Sequence, residues 1–340
     1  MNELLQKEQM AEQCVRENRP AEAIGHLFDL IIEYARKREF PKAEALREKI
    51  FEIDSLALSE IVKSAEIIEE AKNQSIDRDR RDLWSALFNI LTTEEANALY
   101  YALEDKIYQA DQPLFEHGAR NQYLYFINSG RLKMIHSRRG QEILLKTLSN
   151  GEIVGEDTFF TVALCTTSVI TMTNTKLSVL SHDYLKKWKT ELPVLESKLF
   201  EYSHRSVRVK DLLKQKEFDR RVYKRVPLPG KAEVQLLKVS GLPVGGAFKA
   251  SLADISMGGV CFLVRINKKE TARLLLGQKL NVKFSHSGEN FLHEIEKIGL
   301  VVAVRAHAFE DYSVHVKFDV LLNKGVIADI ENYPGPIAVL

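Results

Sequence analysis

The chain has 340 residues, too many for one compact core and enough for two or three domains. Its 48 Lys and Arg nearly cancel its 47 Asp and Glu, which argues against a general nucleic-acid or membrane-surface binder and leaves local charge as the thing to read. Cys14, Cys165 and Cys261 lie far apart without metal-ligand spacing, which fits small apolar core residues, a reducing compartment and no zinc.

The opening "MNELLQKEQMAEQ" has no apolar signal region, and no apolar run reaches the roughly 18 residues of a membrane span. A cytoplasmic protein is expected. Residues 1–76 are nearly free of Pro and Gly, and apolar residues recur at three and four in "LFDLIIEYARKREF" and "ALREKIFEI", which predicts helices. The segments Ala21–Ile24 and Ala43–Leu46 echo each other 22 residues apart. Although the array looks like tetratricopeptide repeats, those recur at about 34 residues, so a small helical bundle is the preferred reading. Such a module meets a protein partner and carries no chemistry. The polar run Asn73–Asp82 marks a boundary.

From Ile107 the pattern becomes short strands with turn signals, which predicts an antiparallel sandwich or barrel over residues 77–190. Here "LFNILTTEEANAL" (Leu87–Leu99), "LYFINSG" (Leu124–Gly130) and "GEIVGED" (Gly151–Asp157) resemble the entry helix, the strand with its glycine turn and the start of the phosphate cassette of the cyclic-nucleotide-binding domain, a jelly-roll. The resemblance implies that Gly155 and Glu156 supply the cassette's Gly-Glu pair, with an arginine about nine residues further on. Cys165 stands there instead, leaving Thr166, Thr167 and Ser168 as neutral donors. Neutral hydroxyls are weaker partners for a buried phosphate than a guanidinium, so a structural jelly-roll without a cyclic-AMP pocket is expected.

Residues 191–217 read as one long connecting helix. Leu192, Leu195, Leu199, Tyr202, Ser206, Val209, Leu213 and Lys216 alternate steps of three and four, a heptad seam that suits a homodimer or a helix packed on its own domain. No helix-turn-helix follows.

Residues 218–340 contain six strand-like runs, among them "YSVHVKFDV" with Val314, Val316 and Phe318 alternating, which predicts a small six-stranded antiparallel barrel. Ahead of it stands "RRVYKR" (Arg220–Arg225), and inside it "DISMGG" (Asp254–Gly259). Together these resemble the PilZ domain, the bacterial receptor for cyclic di-GMP, whose signature is RxxxR followed by (D/N)xSxxG. The resemblance implies that Arg221 and Arg225, with Arg220 completing RRxxxR, and Asp254, Ser256, Gly258 and Gly259 bind the ligand. Guanidinium forks suit phosphate oxygens and purine faces. Asp254 accepts from a guanine edge, Ser256 donates to a ligand oxygen, and the glycines let backbone approach closely.

The fold expected is multidomain α+β: an N-terminal helical bundle, a cyclic-nucleotide-binding-like jelly-roll, a long helix and a PilZ barrel. The function expected is a non-enzymatic cyclic di-GMP effector with no cofactor and no metal, which passes a domain rearrangement to a protein partner. Two alternatives stay open: a dual sensor that also holds a cyclic mononucleotide at Gly155, Glu156, Thr167 and Ser168, and a nucleic-acid-binding regulator that uses the basic stretch 205–225. Neither a recognition helix nor a nucleophile or metal constellation is present to favour a nucleic-acid reader or an enzyme.

Overall fold

The computed structural model describes residues 3–138, 141–205, 209, 211–212, 223–265, 269–287, 292–307 and 311–332. The chain forms two compact units, residues 1–104 with 183–202, and residues 105–182 with 203–340.

The first unit is helical. Helices α1 (Glu3–Arg16), α2 (Pro20–Arg36), α3 (Phe40–Ile53) and α4 (Leu58–Gln74) bury one stripe each, including Leu27, Leu30 and Ile31 of α2, Leu46 and Ile50 of α3 and Ile68 of α4. The two sequence echoes have a local cause. Asn18 and Arg38 take left-handed backbone, with φ of 56° and 61°, and Pro lies at N1 or N2 of α2 and of α3, where its missing N–H costs nothing. After α5 (Arg78–Leu83) and α6 (Ser85–Phe88), α7 (Thr93–Ala102) starts on a Thr92/Glu95 capping box. The amide of Asn97 on α7 donates to Glu69 O at 2.7 Å, so the expected jelly-roll entry helix is joined instead to the N-terminal helices.

The second unit begins as a sandwich. Strands β1 (Leu103–Tyr108), β2 (Pro113–Phe115), β3 (Tyr123–Ser129), β4 (Leu132–Arg138), β5 (Gln141–Leu148) and β6 (Ile153–Val154) precede a one-turn helix α8 (Glu156–Phe159). Next come β7 (Val162–Ala163), β8 (Ser168–Thr171) and β9 (Thr175–Ser181). Two four-stranded sheets, ordered β1-β9-β3-β6 and β2-β8-β4-β5, enclose Tyr125, Ile127, Leu132, Met134, Val169 and Leu177. Gly130 at the β3–β4 turn has φ of 107°, and a Cβ there would sit 2.8 Å from Asn174 O, so only glycine fits.

Helices α9 (Asp183–Glu191) and α10 (Pro193–Ser203) follow. The single helix expected across 191–217 is not formed. Pro193 separates the two helices, and His204–Arg205 form a turn after Ser203. Leu195 and Leu199 are fully buried in the unit that also holds their helix's ion pair, Lys198 to Glu95 at 2.5 Å. Val209 instead joins the sandwich core. The heptad positions thus serve two cores. Ser206, Leu213 and Lys216 lie outside the described residues.

The rest of the second unit is a closed barrel. Its strands are β10 (Val226–Leu237), β11 (Pro243–Ser256), β12 (Gly259–Arg265), β13 (Lys279–Ser287), β14 (Leu292–Ala306) and β15 (Asp311–Phe318), ordered β13-β10-β11-β12-β15-β14 with β13–β14 closing it. β10 starts at Val226, earlier than the Pro-x-Pro-Gly stretch suggests, because a register shift between Pro227 and Gly230 absorbs the prolines. Val314, Val316 and Phe318 point into the core with Val260, Phe262 and Val304. The helix Lys324–Asn332 adds Ile327 and Ile330 to that core.

The sandwich and the barrel share a sheet. β7 pairs with β14, Ala163 opposite Ala303 and Val162 opposite Val304. Leu164 N donates to Val302 O at 3.0 Å, and Val162 packs on the barrel core. Beside this seam Arg273 Nη1 lies 2.7 Å from His182 Nδ1.

Candidate functional site

The "DISMGG" turn joins β11 to β12. A register shift between Leu252 and Asp254 lets Leu252 and Ile255 both face the core and turns Asp254 outward. There Arg225 Nη1 lies 3.2 Å from one carboxylate oxygen and 3.3 Å from the other. The Ser256 hydroxyl donates to Gly259 O at 3.3 Å, within the turn. The glycines also have a packing role. A Cβ on Gly259 would stand 2.3 Å from Val316 O, and one on Gly258 would stand 2.9 Å from the ring of Tyr223. Gly259 therefore admits the neighbouring strand, and Gly258 seats an aromatic ring from the arginine segment.

That segment is docked on the barrel at its described end. Tyr223 lies on Gly258, Arg225 is paired with Asp254, and Lys224 is paired with Glu331 of the C-terminal helix. Arg220 and Arg221 lie outside the described residues.

Further residues on the outward side of the barrel wall lie next to the two motifs. Ladder pairing sets Asp254 beside Cys261, Cys261 beside His315, His315 beside Ala303 and Ala303 beside Ala163 of β7. This row crosses five strands, roughly 19 Å at about 4.8 Å per step. Next to it Ser313 pairs with Arg305, His307 Nε2 lies 2.9 Å from Ser313 Oγ, and Ser313 Oγ lies 3.3 Å from His315 Nε2. Burial pushes the His315 imidazole down to about 4, and the nearby cations Arg305 and Arg225 push the same way. Burial also pushes the Cys261 thiol up to about 11, with Asp254 adding to it. Sequence reasoning missed Tyr223, Arg305, His307, Ser313 and His315. The signal was present in "YSVHVKFDV", where Ser313, His315 and Lys317 alternate with the inward Tyr312, Val314, Val316 and Phe318.

The cassette of the sandwich differs. Gly155 has φ of 98°, and a Cβ there would meet Tyr123 O at 2.6 Å. Glu156 opens α8 and is buried, which pushes its carboxyl up to about 7. Cys165 is buried, its thiol pushed up to about 11 mainly by that burial. Its backbone is tied to Gly118 N and Ala119 O at 2.8 and 2.9 Å. Thr167 is buried, Thr166 O lies 2.9 Å from His136 Nδ1, and the Ser168 hydroxyl accepts from His117 N at 2.9 Å. These contacts use the Thr166 carbonyl and the Ser168 oxygen as acceptors.

Residues 219–333 match the PilZ domain family model, and residues 105–189 match the cyclic nucleotide-binding domain model. The barrel is a PilZ domain. The sandwich is a cyclic nucleotide-binding domain. The chain is 29% identical over 130 residues to the cyclic AMP receptor protein of Thermus thermophilus, covering 38% of this chain and 60% of that relative's length. Among solved structures, the catabolite activator protein of Thermus thermophilus is 26% identical with a TM-score of 0.34, over 38% of this chain and 62% of the other. A cyclic nucleotide-binding domain from Methylobacillus flagellatus is 20% identical with a TM-score of 0.34, over 41% and 79%. The PilZ family consists of cyclic di-GMP receptors, and both domain types are ligand-binding regulatory modules. Among the described residues no helix is long and apolar enough to cross a membrane.

Proposed function

We propose that the PilZ domain binds cyclic di-GMP with Arg220, Arg221, Arg225, Asp254 and Ser256. The observation that supports this most is the Arg225–Asp254 pair, which sets one residue of each motif on the same outward patch. Cyclic di-GMP brings two phosphates and two guanines. Asp254 suits the N1–H and N2–H edge of a guanine, and guanidinium forks suit the phosphates and the purine face. The side chains of the pair are 35% and 32% exposed. Such a pair is worth about 0–1 kcal/mol, so releasing Arg225 to a dianionic ligand costs little. Calorimetry tests the reading: the Arg221→Ala/Arg225→Ala double variant loses cyclic di-GMP binding, and wild-type affinity in that variant refutes it.

A second site for a cyclic mononucleotide would use Gly155, Glu156, Thr167 and Ser168. Cys165, a buried neutral thiol at the position of the phosphate arginine, speaks for a domain that has kept the fold without the phosphate contact. Saturable binding of cyclic AMP to the full chain, lost in Glu156→Ala, would establish the dual sensor instead. For the basic stretch 205–225, Lys224 and Arg225 are each paired with an acid, which speaks against a nucleic-acid groove reader.

Transmission would end on a protein partner. The helical unit offers a groove of about 690 Å³ between α1, α2 and α3, floored by Ala11, Leu27 and Leu46 and edged by Glu12 and Lys49. Pull-down with and without cyclic di-GMP tests this.

A further inference from the structure

We infer that the ligand face extends past the two signature motifs to Arg305 and His315, with Arg305 supplying a further guanidinium to the same dinucleotide. The inference rests on the cyclic di-GMP reading above and assigns residues that neither motif contains.

Arg225 precedes β10 and Arg305 lies near the end of β14, yet both act on the imidazole of His315 and on the thiol of Cys261. The ladder places the two arginines on two sides of His315: Arg225 is held at Asp254 on β11, and Arg305 on β14 is paired with Ser313, whose hydroxyl lies 3.3 Å from His315 Nε2. Arg305 is exposed, and no carboxylate pairs with it among the described residues, whereas Arg225 has Asp254. On this face Asp311 is paired with Arg265, at 3.6 Å, which among the described residues leaves Arg305, Arg225 and Lys317 with a single carboxylate, Asp254. A ligand with two phosphates balances that excess. One phosphate within reach of Arg225 leaves the second to be held elsewhere, and Arg305, paired with Ser313, lies in the row next to the one that runs from Asp254 through Cys261 to His315.

His315 makes the extension readable by protons. The groups facing it are Arg225 ahead of β10, Asp254 on β11, Cys261 on β12, Arg305 on β14, His307 just after it, and Ser313 and Lys317 on β15. In the free protein its proton is lost at about pH 4 because of burial and the two arginines. A dianion seated on those arginines offsets their charge and favours the imidazolium, so binding takes up a proton above that pH. Affinity is then higher at pH 5 than at pH 7.5.

The test is calorimetry of the full chain with cyclic di-GMP in two buffers of different ionisation heat, at pH 5 and pH 7.5, for wild type, Arg305→Gln and His315→Gln. Thermal melts check that each variant is folded. The inference expects about tenfold or more weakening in Arg305→Gln, and proton uptake in wild type that His315→Gln abolishes. Wild-type binding with Arg305→Gln within about twofold of it, or uptake unchanged by His315→Gln, overturns the extension and leaves the cyclic di-GMP reading standing. No binding by wild type overturns both.

Discussion

Arg225 and Asp254 hold each other on the barrel surface at a distance of 3.2 Å, each about one-third exposed. Water screens such a pair, so it contributes about 0–1 kcal/mol to folding, while a charge-assisted bond to a phosphate is worth about 1.5–3 kcal/mol. Arg225→Ala is therefore expected to lower cyclic di-GMP affinity by about 1.5–3 kcal/mol while leaving the melting temperature nearly unchanged. Calorimetry and a thermal melt on one sample separate the two effects. Glu156 behaves in the opposite way, because it is buried and its carboxyl is held up at about 7. A carboxyl raised above its unfolded value of about 4.5 keeps its proton in the folded state while the unfolded chain releases it, so stability is full below about pH 4.5 and falls as pH rises toward 7. The loss is on the order of 2–3 kcal/mol. Thermal melts at pH 5 and pH 8 should show this fall in wild type and a smaller one in Glu156→Gln; equal slopes would show that another group carries the dependence. The motif residues were readable from the chain because their order and spacing are linear. Arg305 and His315 were not, since only the closing of the barrel brings β14 and β15 beside β12.

At the scale of elements, the inward alternation of β15 was legible, and so were all six barrel strands, because each carries its core face at a period of two. What the alternation leaves out is crowding. Gly259 and Gly299 flank β15 from both sides, and a Cβ would stand 2.3 Å from Val316 O at the first and 2.4 Å from Lys317 O at the second. Gly258, the residue before Gly259, meets side chains rather than backbone, the Tyr223 ring at 2.9 Å and Leu321 Cδ2 at 4.0 Å. Gly259→Ala is thus expected to destabilise the barrel by several kcal/mol, since backbone must move. Gly258→Ala should leave the melt nearly intact and weaken cyclic di-GMP binding by pushing Tyr223, and Arg225 with it, off the turn. Equal melting temperatures for the two variants would contradict this division. The helix over 191–217 was misread because a three-four spacing describes any helix with one buried face. Leu195 and Leu199 meet it inside one unit and Val209 inside the other, with a turn between.

For the whole molecule the deciding element is among the shortest. β7 has two residues, too few for any period to announce it, yet it makes the cassette of one domain a strand of the other's sheet. β14 is long enough to pair with β13 over Leu292–Leu300 and then with β7 at Ala303 and Val304 on the edge that β13 leaves. With Leu164 N bonded to Val302 O and Arg273 set against His182, swinging the barrel away from the sandwich would expose Val162, which packs on the barrel core. A ligand can shift such an equilibrium only by its differential affinity for the two arrangements. On the cyclic di-GMP reading the ligand meets the Arg225–Asp254 pair at β11, with β12, β15 and β14 between it and β7. Cyclic di-GMP is therefore expected to leave the sandwich and the barrel as one body. Spin labels at Glu142 on β5 and Lys249 on β11 should report the same distance distribution with and without ligand, and the Leu164 amide should exchange slowly in both states. A ligand-dependent shift in that distance, together with faster exchange at Leu164, would mean instead that the signal travels by peeling β7 from β14.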